Sequence, residues 1–526
     1  MNKRILSVVS AIILIIVLVL LALPYYLGIK AQESLEEQRA LLAKNSFLII
    51  ENDQYQRGWF TSTETLQMRF KPSFFAGIQQ QLPDNVRTVL QEPITVVNHV
   101  RHGLFADGIR PVRAHVKTEF KFTPQAEQTL ARFFGQEKPL KLENTINLSG
   151  GGVMHLEVAK FNYEELSGIK INWQGLNTLI DYTKGFNSYN SQTQSPQLDV
   201  ILASKGQFSY QDLKLNSHTE NGHTSISLGN SELHIKKMEF EWKDTDDTSI
   251  RLDQLVNLVT DLQIGAFINP NGGSIPSKIA VDDLFFTTQT SEQDKWINSI
   301  GKFGFAQLHY GNDDYGPLNI DVSAEHLDAA SLAALKNKIT QLSTQKLDND
   351  QLREAMVAAV RQEGLGLFTH NPLFKLNSFK FQMPQGMVDV HGYLTFKDLV
   401  AGDLQQLNLM LDKTESEMDI AFPQALLESI AVNQARSLFT VDESENSSEA
   451  LEDIDQTIRI MIDSVIKTMQ SKGFISVENG IIKTHLKVSK GKLTLNGKPF
   501  TLESDNDDPD ALEASAQTAS ASSSQP

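Results

Sequence analysis

Two histidines, His99 and His102, stand close enough in the sequence to raise the possibility of a metal site. Zinc sites use imidazole ligands, but a zinc site needs three or four ligands, at spacings that known zinc-binding motifs share. The preceding run Ile94–Val97 is apolar and largely β-branched, which predicts a strand, and positions three apart on a strand point to opposite faces. The sequence has no His-Glu-x-x-His pattern and no cysteine. We therefore predict no metal and no other cofactor.

The motifs of common enzyme classes are also missing. The sequence has no Gly-x-Ser-x-Gly elbow and no phosphate-binding loop, and Gly364-Leu365-Gly366 lacks the third glycine of a dinucleotide fingerprint. The glycine-rich run Ser149–Gly152 joins two alternating segments, as a hairpin turn does. The absence of cysteine also excludes disulfides and thiol nucleophiles. We predict no catalytic residues; an envelope hydrolase with a noncontiguous site is the weakest alternative, and it requires converging groups with perturbed pKa values.

The charge balance argues against nucleic acid as a partner. Over 526 residues, Asp and Glu number 64 against 47 Lys and Arg, for a net charge of −17. The first thirty residues contain Lys3, Arg4 and Lys30 and no acidic residue, so the rest of the chain is more acidic still. Such a surface repels a phosphate backbone.

The longest apolar run, Ile5–Leu23, predicts a transmembrane helix. Nineteen residues with Ser7 and Ser10 as their only polar members span roughly 28 Å as a helix, which matches a bilayer core. Tyrosines follow the run instead of a small-residue cleavage site, so we predict an uncleaved anchor, with signal-peptide cleavage as the alternative. Basic Lys3 and Arg4 place the N-terminus in the cytoplasm and the bulk of the chain in a bacterial periplasm. The predicted membrane-spanning segment begins at Ile5, has Leu14 at its middle and ends at Leu23.

Alternating apolar and polar residues predict the strands. In Arg113–Thr123 the apolar side chains share one parity and charged side chains fill the other, which is typical of a strand with one solvated face. Asn-Gly turns, such as Asn221-Gly222 and Asn271-Gly272-Gly273, flank or separate such runs, which favours hairpins and a large antiparallel sheet. The same alternation recurs in Met154–Val158, Met238–Trp242, Val388–Phe396 and Leu493–Leu495.

Helical periodicity appears in fewer places. Ala31–Lys44 predicts a helical stalk beyond the anchor, and Ala324–Gln362 predicts a pair of amphipathic helices. Phe422–Phe439 and Leu451–Gln470 predict a second pair, joined by a solvated acidic connector, Asp442–Glu449. The predicted fold class is therefore α+β: one transmembrane helix, then a periplasmic domain of long, twisted antiparallel sheet with a few helices. The predicted parts are residues 1–4 (cytoplasmic), 5–23 (anchor), 24–45 (stalk), 46–311 (β-rich subdomain), 312–502 (α+β subdomain) and 503–526 (disordered acidic, Ser- and Ala-rich tail).

Three short motifs carry a resemblance to a known family. They are Tyr55–Phe60 (YQRGWF), Asp314–Leu318 (DYGPL) and Leu495–Phe500 (LNGKPF), in this order after a basic N-terminus and an apolar anchor. With this arrangement the chain resembles the YdgA-like family of bacterial envelope proteins of unknown function. The resemblance implies a single-pass inner-membrane protein with a large periplasmic domain, and it implies no catalytic residues. One departure is His102-Gly103-Leu104, where that family tends to have His-Gly-Pro.

The motif residues have a structural interpretation and a functional one. Gly58 is expected to turn or bend a strand with Trp59 packed beside it; alternatively, Arg57 and Trp59 contact lipid headgroups or a partner near the membrane. Tyr315-Gly316 and Asn496-Gly497 are expected to be turns. The motif candidates are Arg57, Gly58, Trp59, His102, Gly103, Tyr315, Gly316, Asn496 and Gly497.

The sequence favours binding over catalysis. The predicted strands with one apolar face are too many for the few predicted helices to cover. We therefore expect an apolar groove on the sheet that holds a lipid, a glycolipid or another apolar ligand near the inner membrane. The alternative is a protein-interaction module of an envelope assembly or motility-related complex, which uses strand edges or a helix pair. The predicted partners are the inner membrane, a lipid or glycolipid, and an envelope protein.

Overall fold

The computed structural model describes residues 3–44, 48–71, 84–103, 105–108, 110–224, 226–242, 276–343, 349–400, 402–403, 406–438 and 447–500. Its helices are α1 (Lys3–Lys44), α2 (Asp84–Gln91), α3 (Pro124–Phe134), α4 (Ala329–Ser343), α5 (Asn349–Glu363), α6 (Leu365–Thr369), α7 (Leu407–Asp412), α8 (Gln424–Leu438) and α9 (Ser447–Ser471), with a short 3₁₀ turn at Lys184–Phe186.

The first half of the sheet consists of β1 (Leu48–Arg57), β2 (Thr61–Phe70), β3 (Ile94–His102), β4 (Val112–Lys121), β5 (Leu140–Asn147), β6 (Gly152–Val158), β7 (Phe161–Glu164), β8 (Ile169–Trp173), β9 (Leu176–Tyr182), β10 (Ser188–Leu202), β11 (Gly206–Asn221) and β12 (Ser227–Trp242). The second half consists of β13 (Lys278–Gln293), β14 (Trp296–Phe305), β15 (Gln307–Tyr310), β16 (Asp313–Tyr315), β17 (Leu318–Asp328), β18 (Leu373–Met383), β19 (Gly386–Phe396), β20 (Thr414–Pro423), β21 (Ser476–Glu478), β22 (Ile481–Ser489), β23 (Lys492–Leu495) and β24 (Lys498–Pro499).

The strands form one antiparallel sheet in which chain neighbours pair. The ladder runs from β1 to β6 in order, continues through β9 to β14, and then passes through β17 to β20 and β22 to β24. The short hairpins β7–β8 and β15–β16 attach to β10 and β13. The α+β class with a large antiparallel sheet is confirmed, and the ladder passes without a break through the region where the sequence suggested a subdomain boundary.

Residues directly opposite each other in an antiparallel pair face the same side, so the register defines two faces across the whole sheet. We call one the inner face. From β2 to β23 one row of it carries Ser62, Val100, Val116, Asn144, Met154, Ile180, Ser191, Ser217, Ser231, Thr288, Gly301, Val322, Leu376, Gly392, Met418, Leu486 and Leu495.

The opposite, outer face is predominantly polar. A parallel row of it carries His99, Lys117, Glu143, His155, Leu179, Gln192, Asn216, Glu232, Thr287 and Lys302. Ion pairs between neighbouring strands, such as Lys302 Nζ to Asp321 Oδ2 at 3.1 Å, lie on this face. The sheet therefore keeps one solvated face over its length, as the alternation predicts.

Helices cover the inner face in two places within its second half. Helices α4, α5 and α6 bury one core, which includes Ile297 and Leu327. Helix α8 and the β15–β16 hairpin bury another, which includes Phe305, Phe381 and Leu426. Each core is built from inner-face side chains near one end of the long strands, and the middle of these strands lies between the two covers.

Several boundaries differ from those predicted. The segment Ala324–Asp328 was expected to be helical, but it continues β17, because it pairs with β14 and its Leu327 enters a core. Helix α8 begins at Gln424 because Phe422 and Pro423 still pair with β22. The turn Asn271–Gly273, residues 442–446 of the acidic connector and the tail 503–526 lie outside the described residues.

The predicted anchor and stalk form one helix, α1, from Lys3 to Lys44. The side chains of residues 3–20, including Ile5 and Leu14, lie outside the described part of the chain, whereas Leu23 lies inside it. In the part that is described, no helix has the length and apolar character needed to cross a membrane.

Candidate functional site

The middle of the inner face contains an apolar groove of about 690 Å³. It crosses β13, β14, β17, β18, β19 and β20, and its lining is almost wholly apolar, with Phe286, Val322, Leu376, Leu394 and Met418 as its larger members. We call this the inner groove. Phe286 and Val322 keep 45% and 42% of their surface exposed, although both are large hydrophobic side chains on a strand. A sealed core does not leave such side chains in solvent.

The groove exists because of where the helical covers end. Phe374 and Ala324 pack against the core under α4–α6 at one side of it. Phe303 and Ile320 pack against the core under α8 at the other. The apolar strip between these two covers has no helix above it among the described residues.

Glycine gives the groove part of its depth. A Cβ built on Gly301 meets only Val322 Cγ2, at 3.6 Å, which is ordinary van der Waals contact. The space above Gly301 is therefore part of the groove and is not filled by backbone or by another side chain. Any larger residue at this position enters that space.

Between the groove and the first strands, one row of the inner face bears hydroxyls, while the next row carries Leu215 and Leu233. Ser191, Ser217, Ser231 and Thr288 stand opposite one another on four adjacent strands. Beside them the hydroxyls of Thr178 and Thr193 lie 3.0 Å apart. These small side chains offer both donors and acceptors.

The far end of the inner face holds helix α1. Ala31 and Leu35 are buried against Val100, Val116 and Ile146 of β3, β4 and β5. The predicted helical continuation beyond residue 23 is present, since α1 runs to Lys44, and one side of it forms a core with the sheet, which the sequence analysis did not predict. The signal was present in the spacing of Leu27, Ala31 and Leu35, which puts three apolar side chains on one side of a helix.

Buried polar contacts fix the helix on this core. Arg113 sits at a β-bulge in β4, and its guanidinium donates to Ser34 Oγ at 2.7 Å and to the Leu148 carbonyl at 2.8 Å. Gln38, Asn144 and Tyr182 form a closed ring of hydrogen bonds of 2.7–3.1 Å. Burial raises the pKa of Tyr182, so its hydroxyl keeps its proton and donates to Asn144.

His102 lies where α1 leaves the sheet. Its Nδ1 is 2.8 Å from the Pro24 carbonyl and its Nε2 is 3.1 Å from Ser62 Oγ. A carbonyl only accepts, so Nδ1 carries the proton and Nε2 accepts from Ser62. Burial lowers the pKa of His102, which keeps the ring neutral and this tautomer in place. The ring also fills the space beside Gly28, where a Cβ would lie 2.7 Å from His102 Cε1.

The other motif residues of the first half meet at the same place. Gly58 N donates to the Thr61 carbonyl at 2.9 Å, so Trp59 and Phe60 form the tip of the β1–β2 hairpin. Trp59 Nε1 donates to the Leu21 carbonyl of α1 at 2.7 Å, and its ring centroid is 5.2 Å from that of Tyr25. The tip is half exposed, so Trp59 is not packed in a core. Arg57 donates to Gln32 of α1, and a Cβ on Gly103 would lie 3.5 Å from Pro24 Cβ.

The remaining motifs lie elsewhere on the sheet. Tyr315 is buried in the core under α8, and Gly316 follows it at a φ of 120°, a backbone conformation that favours glycine. Asn496 and Gly497, at φ values of 47° and 78°, form the turn between β23 and β24. These residues shape the fold far from the helix-docking end, and the structure does not bring the three motifs into one site.

The histidine pair does not converge either. His99 points to the outer face, 3.4 Å from Glu119, while His102 is buried on the inner face. Within the described ranges no group of three or more His, Asp or Glu side chains could hold a metal ion.

Among the residues that the structure describes, the most deeply buried carboxylate is Glu64 on β2, which is 1% exposed. Arg39 of α1 donates to one of its oxygens at 2.8 Å and Asn98 to the other at 2.8 Å. Burial is the largest influence and raises the pKa of Glu64, although Asn98 and Arg39 act in the opposite direction. Arg39 also pairs with Asp53 at 3.0 Å, so the helix contributes one cation to two acidic groups.

Removing Arg39 is expected to make the stability of the docked helix depend on pH. The pKa of Glu64 is higher in the folded state than in the unfolded state. Its contribution to the free energy of unfolding is therefore fully present below the unfolded-state pKa and is lost as the pH rises through the folded-state pKa. Arg39→Met raises that pKa further and leaves a buried charge at neutral pH. We expect a loss of about 3 kcal/mol at neutral pH that shrinks as the carboxyl protonates, measured by urea unfolding over a pH series.

The matched control is Arg69→Met, which removes a surface pair with Glu51 on the neighbouring strands. That change is expected to cost less than about 1 kcal/mol at any pH. Equal and pH-independent losses in the two variants would contradict the role given to Glu64.

Together the fold and the site define a class of protein: a single long antiparallel sheet with one polar face, an open apolar groove on the other, and an N-terminal helix docked on that same face. The chain belongs to a bacterial protein family of unknown function (DUF945), whose family model matches residues 1–503. This confirms a bacterial family of unknown function, while the narrower YdgA-like assignment remains a prediction. A search of curated proteins found none that matches the chain.

Proposed function

We propose that this protein is a non-catalytic lipid-binding protein of the bacterial envelope, anchored in the inner membrane by residues 5–23, with its sheet in the periplasm. The observation that carries the proposal is the inner groove, an open, almost wholly apolar strip about 690 Å³ in volume. Pockets of roughly 300–1,000 Å³ are the size that drug-sized ligands occupy. A groove open along the sheet suits part of an elongated ligand such as an acyl chain.

Energetics favour an apolar ligand. Each buried methylene contributes about 0.8 kcal/mol, and the exposed faces of Phe286 and Val322 gain as well when a chain covers them. No ionised side chain stands among the inner-face residues that line the groove floor, so a polar ligand would find few partners there. Lys375 borders the groove, and its ammonium is already held 2.6 Å from Glu325.

The position of α1 supports a lipid in particular. The register places the helix-docking core and the inner groove on one face of one sheet, with Ser191, Ser217 and Ser231 between them. If residues 5–23 cross the bilayer, the docked end of the inner face lies nearest the membrane. A lipid entering there meets hydroxyls that can bind a polar headgroup before its chain reaches the groove.

Photocrosslinking tests the function directly. Bacteria expressing the full-length chain are fed a fatty acid with a diazirine in its acyl chain, irradiated, and the modified peptides are identified by mass spectrometry. We expect adducts on inner-groove strands, at residues such as Phe286, Val322 and Met418, and none on outer-face residues such as Leu179. Adducts confined to α1, or spread equally over both faces, would contradict the proposal.

A second function has its own supporting observation. Helix α5 exposes Leu352, Met356 and Val360 at a spacing of four residues, and α9 exposes Ile460, Met461 and Val465. Such apolar stripes on outer helices suit a protein-interaction module of an envelope assembly. If α5 and α9 bind a partner, charged substitutions at Met356 and Val465 abolish the complex and leave acyl crosslinking to the groove unchanged.

A further inference from the structure

One group of exposed aromatic residues is not explained by the groove. Trp59 and Phe60 at the β1–β2 tip are 52% and 53% exposed, Tyr25 and Tyr26 of α1 are 40% and 53% exposed, and Phe105 is 65% exposed. We call these five residues the aromatic rim. They belong to three segments of the chain that are brought together where α1 leaves the sheet.

Specific contacts hold the rim in place. The indole N–H of Trp59 donates a hydrogen bond to the Leu21 carbonyl, and the indole ring lies against the ring of Tyr25. The Phe60 carbonyl accepts a hydrogen bond from the backbone N–H of His102 at 2.9 Å. The Trp59 and Tyr25 rings and the backbone of the β1–β2 tip are therefore held in place, and the exposed aromatic surface costs free energy in water unless another surface covers it.

The charges beside the rim are mainly basic. Three arginines are exposed there: Arg57 at the end of β1, Arg101 near the end of β3, and Arg110 in the loop that follows β3. Asp107 is the acidic residue of that loop, and it lies 3.9 Å from His115. Aromatic side chains next to cationic ones are the combination found at the boundary between a bilayer and water, where lipid headgroups are often anionic.

We propose that the aromatic rim inserts into the headgroup region of the same bilayer that α1 enters, so that the protein touches the membrane with its sheet as well as with its helix. This inference rests on the proposed anchor. The covering partner is a lipid surface because Tyr25 and Tyr26 follow the apolar segment 5–23 of α1 directly, and Trp59 contacts Leu21 near the end of that segment. Insertion of such side chains reaches roughly 5–10 Å into the headgroup and acyl boundary.

The chain contains no cysteine, so one engineered cysteine labels a single position. Phe60→Cys and Phe105→Cys place an environment-sensitive fluorophore on the rim without touching a core. Leu166→Cys is the matched control, because Leu166 is a fully exposed apolar residue in the β7–β8 turn, away from the rim. Each labelled full-length chain is reconstituted into vesicles with anionic lipids whose acyl chains carry bromine, a contact quencher.

We expect the label at positions 60 and 105 to lose most of its emission in brominated vesicles, with a shift to shorter wavelength, and the label at 166 to be unaffected. Alkaline extraction of the same vesicles tests the anchor separately. If the chain resists alkali but labels at 60 and 105 behave like that at 166, the rim proposal is overturned and the anchor stands. If alkali releases the chain, the proposed anchor is wrong. Quenching at positions 60 and 105 before the alkaline step would then still support a rim that binds the membrane surface. If there is no quenching either, both the anchor and the rim proposals are overturned.

Discussion

Replacing Gly301 by leucine is expected to close the inner groove while leaving the fold intact. The new Cβ meets only Val322 Cγ2, at 3.6 Å, so no backbone atom must move. The rest of the leucine side chain then occupies space that a bound acyl chain needs. Overpacking an occupied site costs typically 1–3 kcal/mol, which corresponds to a loss of about five- to more than a hundred-fold in affinity. The measurement is the yield of acyl photocrosslinks on the groove strands.

The matched control introduces the same side chain on the other face. Gln289 is an exposed outer-face residue of β13, next to Thr288, which stands opposite Gly301. Gln289→Leu is expected to leave crosslinking unchanged. If Gly301→Leu folds normally, as judged by its urea midpoint, and still crosslinks at the wild-type level, the groove is not where the lipid binds.

Replacing Gly28 by alanine is expected to weaken the docking of α1, against the usual trend. In an exposed helix this change stabilises by about 1 kcal/mol, because alanine is the better helix former. Here the new methyl would lie 2.7 Å from His102 Cε1, and the ring is held by Ser62 and Pro24. The overpacking penalty of about 1–3 kcal/mol should exceed that gain. Faster hydrogen exchange of the amides from Leu27 to Arg39 measures the loss.

A double-mutant cycle separates this clash from a general effect of the substitution. His102→Ala alone leaves the Pro24 carbonyl and Ser62 without their partner and should destabilise the docked helix. In that background Gly28→Ala should no longer destabilise and should regain its usual helix-stabilising sign. Additive losses would show that the contact between Gly28 and His102 does not determine how α1 docks.

Much of the fold follows from local pattern. The alternation in Arg113–Thr123 predicts a strand with one wet face, and β4 forms there, because period two is a property of the extended chain itself. The boundary of β17 was missed because Ala324–Asp328 has residues acceptable in a helix, and its pairing with β14 is a tertiary interaction that outweighs local propensity.

The existence of an apolar groove could be predicted from the sequence, but its position on the sheet could not. An excess of one-faced strands over covering helices predicts an apolar groove. Which strip stays open depends on where α4–α6 and α8 end over the sheet, and this follows from packing between distant segments. The docking of α1 was missed for the same reason: Arg113, His102 and Trp59 contact it across 38 to 83 residues of sequence.

The chemistry of the motif residues also needed the structure. Arg57, Trp59, His102 and Gly103 looked like isolated turn or strand residues, but they converge on α1 within one small region. The spacing of His99 and His102 is compatible with a metal site on a helix, and only strand geometry separates the two side chains. Their partners, Glu119 and the Pro24 carbonyl, come from opposite faces of the sheet.

Native mass spectrometry of the full-length chain, released from mild detergent after purification from bacterial envelopes, tests whether the inner groove binds lipid. We expect one or a few lipids bound in fixed stoichiometry under conditions that strip loosely associated lipid, and their loss in Gly301→Leu, which has the same α1 helix. Detection of the wild-type chain without bound lipid would contradict lipid binding in the groove. Equal retention of lipid in Gly301→Leu and Gln289→Leu would contradict it as well.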